Sequence, residues 1–238
     1  MTISPPNDPP DRWEDLIGQR HPEIRPVSAW EHLLSLLGPP ICGLCNEPVP
    51  SPTASICENC EENALARVRN LSFGQVYSLF AHQEFARRAI TGLKYRQERW
   101  RGFQLAQHAA LVWLSHAQNE VLCDDLLVPI PIHPDKVRAR GFNQALVIAR
   151  GIAQRVPLKV VSTGLARVDK LAADQKHLSR DARLASRGRF RAQAKLRGQR
   201  IWLVDDVLTT GATLEDAAGA LREIGALPVG GITLNWRP

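Results

Sequence analysis

Two adjacent carboxylates, Asp205 and Asp206, stand between four apolar residues, 201–204, and a small, hydroxyl-rich run of Thr209, Thr210, Gly211, Ala212 and Thr213. Residues 201–204 are apolar without alternation, which predicts a short buried strand. The run 209–213 predicts a turn that opens a helix, and its backbone N–H groups with three hydroxyls can hold a phosphate. The acidic pair then falls at the carboxyl end of a strand, where open α/β sheets bind ligands. Carboxylates would repel a phosphate at contact distance. They make sense facing the neutral or cation-bound part of the same ligand: ribose hydroxyls or a Mg²⁺ shell. A ligand with sugar hydroxyls and a 5′-phosphate one loop apart is a phosphoribosyl group. The plain alternative is a strand–turn–helix with a solvated acid pair, but the thirteen-residue pattern is more specific than the pair alone. No Gly-Lys-Ser/Thr follows it, which disfavours a Walker-type ATPase.

A second constellation lies near the N-terminus. Cys42 and Cys45 form one C-x₂-C pair, Cys57 and Cys60 another, with eleven residues between them. Each turn brings two sulfurs to one ion, and two turns supply the tetrahedral four-thiolate shell that Zn²⁺ prefers. So short a segment buries little apolar area, so a metal would supply much of its stability. Four protein ligands leave no open position, which points to structural zinc. A redox dithiol is the weaker reading. Cys123 stands apart, as a buried or bystander thiol.

Charge adds a third clue. The formal net charge is +6, but residues 133–200 hold 17 Lys and Arg against 4 Asp and Glu, and the rest of the chain 13 against 20. This asymmetry favours a polyanionic ligand, although any single cation here is equally a solvated one. Residues 128–132 end a strand in prolines and lead into a loop carrying Lys136, Arg138 and Arg140, with Asn143 placed to cap the next helix. Spaced cations beside a phosphate cradle suit a pyrophosphate leaving group.

These groups need a scaffold. The chain of 238 residues, 44% hydrophobic, suits one medium domain with a small appendage. Residues 1–28 are Pro-rich and read as a flexible tail, 29–70 as a helix plus the cysteine module, and 71–238 as the main domain. Helices are expected at 29–37, 61–69, 85–93, 105–117, 144–155 and 214–224. Strands are expected at 75–80, 126–132, 158–161, 201–204 and 229–234, with 182–188 a mobile loop and 189–191 extended. The alternation predicts a mostly parallel α/β sheet flanked by helices. No apolar run is long enough to span a bilayer, so membrane insertion is not expected. The first residues lack signal-peptide character, and a cytoplasmic protein with reduced thiols is expected.

The four-cysteine unit, residues 92–95, 128–131 and 140–144, and the loop 204–213 occur in this order in the ComF family, which the chain resembles from about residue 30 to 234. The resemblance implies a type I phosphoribosyltransferase-like fold behind a zinc-ribbon-like module. It also implies Asp205 and Asp206 as ligands of the ribose of 5-phosphoribosyl 1-pyrophosphate (PRPP) and as catalytic residues. Residues 209–213 would be its 5′-phosphate cradle, with Mg²⁺ accompanying the pyrophosphate. Competence members of the family act in natural transformation, which implies a role in DNA uptake. Gln175, Leu178, Arg183 and Phe190 match a further family stretch, but Ser186 stands where Asn is usual. Three functions stay open: phosphoribosyl transfer with pyrophosphate release; single-stranded DNA or nucleotide binding without catalysis; and an adaptor docking a DNA-uptake helicase. For DNA, residues 95–103 with Tyr95, Trp100 and Phe103 among arginines form a candidate patch, for which helix-end packing is an equal reading.

Overall fold

The structure, a computed structural model, describes residues 42, 47–49, 57–62, 67–80, 99–117, 120–168 and 188–237. The expected tail, the 29–37 helix, Cys45, the helix at 85–93, the 92–95 motif, Tyr95, and the family stretch carrying Gln175, Leu178, Arg183 and Ser186 lie outside the described residues.

The described chain begins with a short helix α1 (Glu58–Glu62) and an antiparallel hairpin of β1 (Arg67–Leu71) and β2 (Gly74–Phe80). Helix α2 (Arg99–Ala117) leads to β3 (Leu126–Pro129), then to α3 (Pro134–Arg140), α4 (Gln144–Ala153) and β4 (Lys159–Val160). A small hairpin of β5 (Leu165–Arg167) and β6 (Phe190–Ala192) precedes β7 (Arg200–Leu208), α5 (Ala212–Glu223) and β8 (Leu227–Trp236). The main sheet runs β1-β2-β8-β7-β3-β4, parallel except for β1. This is the mostly parallel, helix-flanked sheet that the alternation of elements implies.

The residues of β7 show why the sheet is buried on both faces. Trp202 and Val204 belong to one apolar cluster, with Leu105, Trp113 and Ile148 from α2 and α4. Ile201 and Leu203 point the other way, into a cluster with Leu214, Ala217 and Leu221 of α5. Side chains alternate faces along a strand, so a run apolar at every position suits a central parallel strand covered twice. Trp202 packs edge-on against Trp113, ring centroids 5.0 Å apart, and its Nε1 donates to Asp125 Oδ2 at 2.8 Å. Its ring lies across Gly230 on β8, where an added Cβ would come within 2.3 Å of Trp202 Cζ3. Only glycine fits that position. Asp125, fully buried, also accepts from Arg200 Nε at 2.7 Å and so ties the starts of β3 and β7 together.

Several boundaries differ from the sequence expectations. The helix expected at 61–69 is instead α1 followed by strand β1. Arg67 and Arg69 are paired to Ser78 and Val76 across the hairpin, and pairing to β2 overrides any local helical pattern. The loop expected after residue 132 is helix α3. Pro134 sits in its first turn, His133 Nδ1 accepts from Asp135 N at 3.2 Å, and Gly141 ends it in the left-handed region. None of its residues is buried, so it has no apolar stripe for periodicity to reveal. Strand β7 extends past residue 204 to Leu208 and thus contains the acidic pair. Strand β5 is a further element absent from the sequence reading. The extended stretch expected at 189–191 is β6, and Asn143 caps α4 as expected, its Oδ1 accepting from Ala145 N at 3.0 Å.

Candidate active site

Chain order and sheet order together select one place for a ligand. From β3 the chain crosses through α4 to β4 on one side, and from β7 it crosses through α5 to β8 on the other. Helices α4 and α5 therefore cover opposite faces, and a crevice opens beyond the carboxyl ends of neighbouring β3 and β7. The parallel pairing sets Pro129 opposite Val204, and Ile130 N donates to Val204 O at 2.8 Å. The residues following both strands are thereby neighbours.

A cleft of about 180 Å³ lies there, and Asp205, Asp206, Thr213, Lys136 and Arg140 all line it. Residues from two distant stretches of sequence, 136–140 and 205–213, thus converge on one space. Arg138 does not line it: its guanidinium is paired with Asp135 three residues back on α3. Helical geometry explains the split, since 136 and 140 share a face and 138 lies round the helix. Both carboxylates are half-buried, and the Asp206 backbone N donates to Asp205 Oδ1 at 2.8 Å, fixing the first carboxylate against the strand.

The loop 209–213 joins β7 to α5. Thr209, Thr210 and Ala212 are exposed, Gly211 is buried and Thr213 is half-buried. Gly211 has φ of +86° and no capping side chain, and an added Cβ would meet Leu71 of β1 at 2.9 Å. Glycine is therefore favoured by the left-handed conformation, and any larger residue would also have to displace the tip of Leu71. The first backbone N–H groups of α5 have no intrahelical acceptor and carry the positive end of its dipole. Thr210 Oγ1 accepts from Ala212 N at 3.3 Å and pins the turn.

Three hydrogen bonds with the β1–β2 hairpin brace this loop and the helix it opens. Arg69 on β1 donates to Thr209 O at 2.8 Å. At the β1–β2 turn, Ser72 N donates to Glu215 Oε1 at 2.7 Å, and Arg222 Nη2 donates to Ser72 O at 2.8 Å. The other side of α5 holds the start of β6. Asp216, mostly buried, accepts from Gly188 N at 2.8 Å, from Arg189 N at 3.2 Å and from Arg189 Nε at 2.8 Å.

Sequence reasoning did not single out His133, Gln144 and Arg167, which also line the cleft. Arg167 ends a three-residue strand, too short to announce itself, and its guanidinium lies 5.9 Å from the Phe190 ring centroid. Gln144 follows the capping Asn143, and its position after a helix cap gives no sign of a ligand role.

The cysteine unit is described at three of its four positions. Cys42, Cys57 and Cys60 bring their sulfurs within 4.8 Å of one another, with Cys42 and Cys60 buried. Three thiols at that spacing form a donor set that could hold a soft or borderline metal ion, and Cys45 is the expected fourth ligand. Cys123, half-buried, stands outside this cluster.

Comparisons with known proteins bear on the fold and the family. Residues 143–237 match the family described as "Phosphoribosyl transferase domain". Competence protein ComFC of Bacillus subtilis is 29% identical over 200 residues, covering 82% of this chain and 77% of its own. Competence protein F of Haemophilus influenzae is 23% identical over 190 residues, covering 78% of this chain and 80% of its own. The DNA utilization protein YhgH of Salmonella typhi is 34% identical over 108 residues. That match spans 44% of this chain and 46%, under half, of the relative.

Proposed function

We propose that this chain, a ComF-type protein with a type I phosphoribosyltransferase fold, binds PRPP in the β3/β7 cleft and serves in DNA uptake. One observation carries the reading: an acidic pair, the cations Lys136 and Arg140, and Thr213 of the first turn of α5 line the same cleft, while Thr209 to Ala212 lie outside its lining. Asp205 and Asp206 accept hydrogen bonds from the ribose 2′ and 3′ hydroxyls. The 5′-phosphate lies on residues 209–213 at the N-terminus of α5. Lys136 and Arg140 face the pyrophosphate, with Arg138 further out. Arg167 adds a third cation to the cleft wall.

In the transfer that this arrangement suits, a nucleophile attacks the anomeric carbon and pyrophosphate leaves with its electron pair. The transition state is positive at the ribose and negative at the departing group. The carboxylates and the cations are disposed to stabilise those two ends. Mg²⁺, carried with the pyrophosphate, would neutralise part of its charge.

The cysteine cluster is proposed as structural zinc, held by Cys42, Cys45, Cys57 and Cys60. The division into a tail, a cysteine module and a phosphoribosyltransferase-like domain belongs to the same proposal, as does a cytoplasmic location. Among the described residues no helix is long and apolar enough to cross a membrane. The DNA role draws on the names of the relatives, two of them competence proteins and one a DNA utilization protein. The same names support a second reading, a non-catalytic adaptor that holds single-stranded DNA or a nucleotide beside an uptake helicase.

The double variant Asp205→Asn, Asp206→Asn tests the site. Each lost charge-assisted hydrogen bond removes about 1.5–3 kcal/mol, so PRPP affinity should fall by at least about a hundredfold. The melting temperature should hold, because asparagine keeps the shape. Unchanged affinity would sink the assignment.

A further inference from the structure

Gln144 opens helix α4, is 1% exposed and lines the cleft, yet neither its Nε2 nor its Oε1 has a hydrogen-bond partner among the described residues. The contrast with its neighbour is direct. Asn143 uses both ends of its amide structurally, accepting from Ala145 N at 3.0 Å and donating to Ile130 O at 2.9 Å. The cap is therefore complete without Gln144. A buried carboxamide with two unsatisfied ends costs its full desolvation penalty, and a leucine of similar size would avoid that cost.

We propose that Gln144 is a specificity-determining residue of the cleft, whose carboxamide pairs with a hydroxyl of the phosphoribosyl ligand. The inference rests on the phosphoribosyl reading of the cleft and deepens it. The charged parts of the ligand already have their matches in Lys136, Arg140 and the first turn of α5. An amide both donates and accepts, and so does a hydroxyl, whereas a phosphate oxygen only accepts. A site that offers a buried amide to a hydroxyl also rejects a ligand lacking it, because the amide is then left unpaired.

The test compares the full chain with Gln144→Leu and Gln144→Met, both close in volume to glutamine. Thermal melts are recorded without ligand, and calorimetric titrations with PRPP, ribose 5-phosphate and inorganic pyrophosphate. The expected result has three parts. Both variants melt at or above the parent, ribose 5-phosphate and PRPP bind about tenfold more weakly, and pyrophosphate binds as before. Melting several degrees lower would assign the amide to a structural partner such as buried water and overturn the proposal. Equal losses on pyrophosphate and ribose 5-phosphate, or no loss on either, would also overturn it. If the parent binds PRPP and the variants bind it equally well, only the Gln144 assignment falls. If the parent binds neither PRPP nor ribose 5-phosphate, the phosphoribosyl reading falls and this one with it.

Discussion

Asp125 and Asp206 are both carboxylates at the edges of the central strands, yet they do opposite work. Asp125 is fully buried at the start of β3 and engaged by Arg200, Trp202 and the backbone of Leu122. Asp206 is half-buried at the far end of β7, beside a cleft. Asp125→Ala should therefore cost about 2–4 kcal/mol, because the Trp202 indole and the Leu122 N–H lose their acceptor while Arg200 keeps only the Glu120 carbonyl. Denaturant melts would measure it, and a loss below about 1 kcal/mol would mean that the network carries little stability. The placement of the acidic pair at the end of a strand and of the threonine loop at the start of a helix was legible in the sequence, because residue types and spacing mark that junction. Arg167 was not, because nothing local distinguishes it, and Gln144 stands in the 140–144 motif without any local sign of a ligand role. Arg167 reaches the cleft only because a two-stranded hairpin places it there, and Gln144 is notable only for the partners it lacks.

At the scale of elements, hairpin β1–β2 is more than a sheet edge. Arg69 holds the carbonyl of Thr209, Leu71 packs over Gly211, and Ser72 bonds Glu215 on α5. The hairpin thus fixes the loop that the phosphate is proposed to occupy. Arg69→Gln should leave the fold intact and weaken inorganic phosphate binding several-fold, with Arg69→Lys recovering part of it. Calorimetry with phosphate checks this, and an unchanged affinity for Arg69→Gln would show that the loop holds its shape unaided. The sequence expectation of a helix through residue 69 hid this role, since strand pairing is a long-range property. Helix α3 was hidden for a different reason: with none of its residues buried, it carries no apolar stripe. Its turn geometry nevertheless decides that Lys136 and Arg140 face the cleft while Arg138 meets Asp135. The buried strands 126–129 and 201–204 and the helix after Gly211 were legible, because burial on both faces and a turn-to-helix junction leave strong local patterns.

For the whole molecule, the decisive feature is the reversal of crossover direction between β3 and β7. It sets the cations that follow β3 against the carboxylates of β7 and the first turn of α5. Element order alone implies a parallel sheet but not which strands are adjacent, so the meeting of 136 and 140 with 205 is expected from the motifs, whereas the arrival of 144 and 167 in the same cleft is not. Cys42 and Cys60 belong to the same apolar cluster as Trp113 and Trp202, so the cysteine unit contributes to one face of the core. A strong chelator should therefore lower the melting temperature in the metal-loaded protein, with one equivalent of zinc released. No released metal and no shift would contradict a structural ion.

The measurement closest to the central claim is calorimetric titration of the metal-loaded protein with PRPP, with and without Mg²⁺. Saturable binding at one site per chain, tighter with Mg²⁺ and abolished in the Asp205→Asn, Asp206→Asn variant, is the result this account predicts. Absence of binding under both conditions would contradict it and turn attention to single-stranded DNA and protein partners.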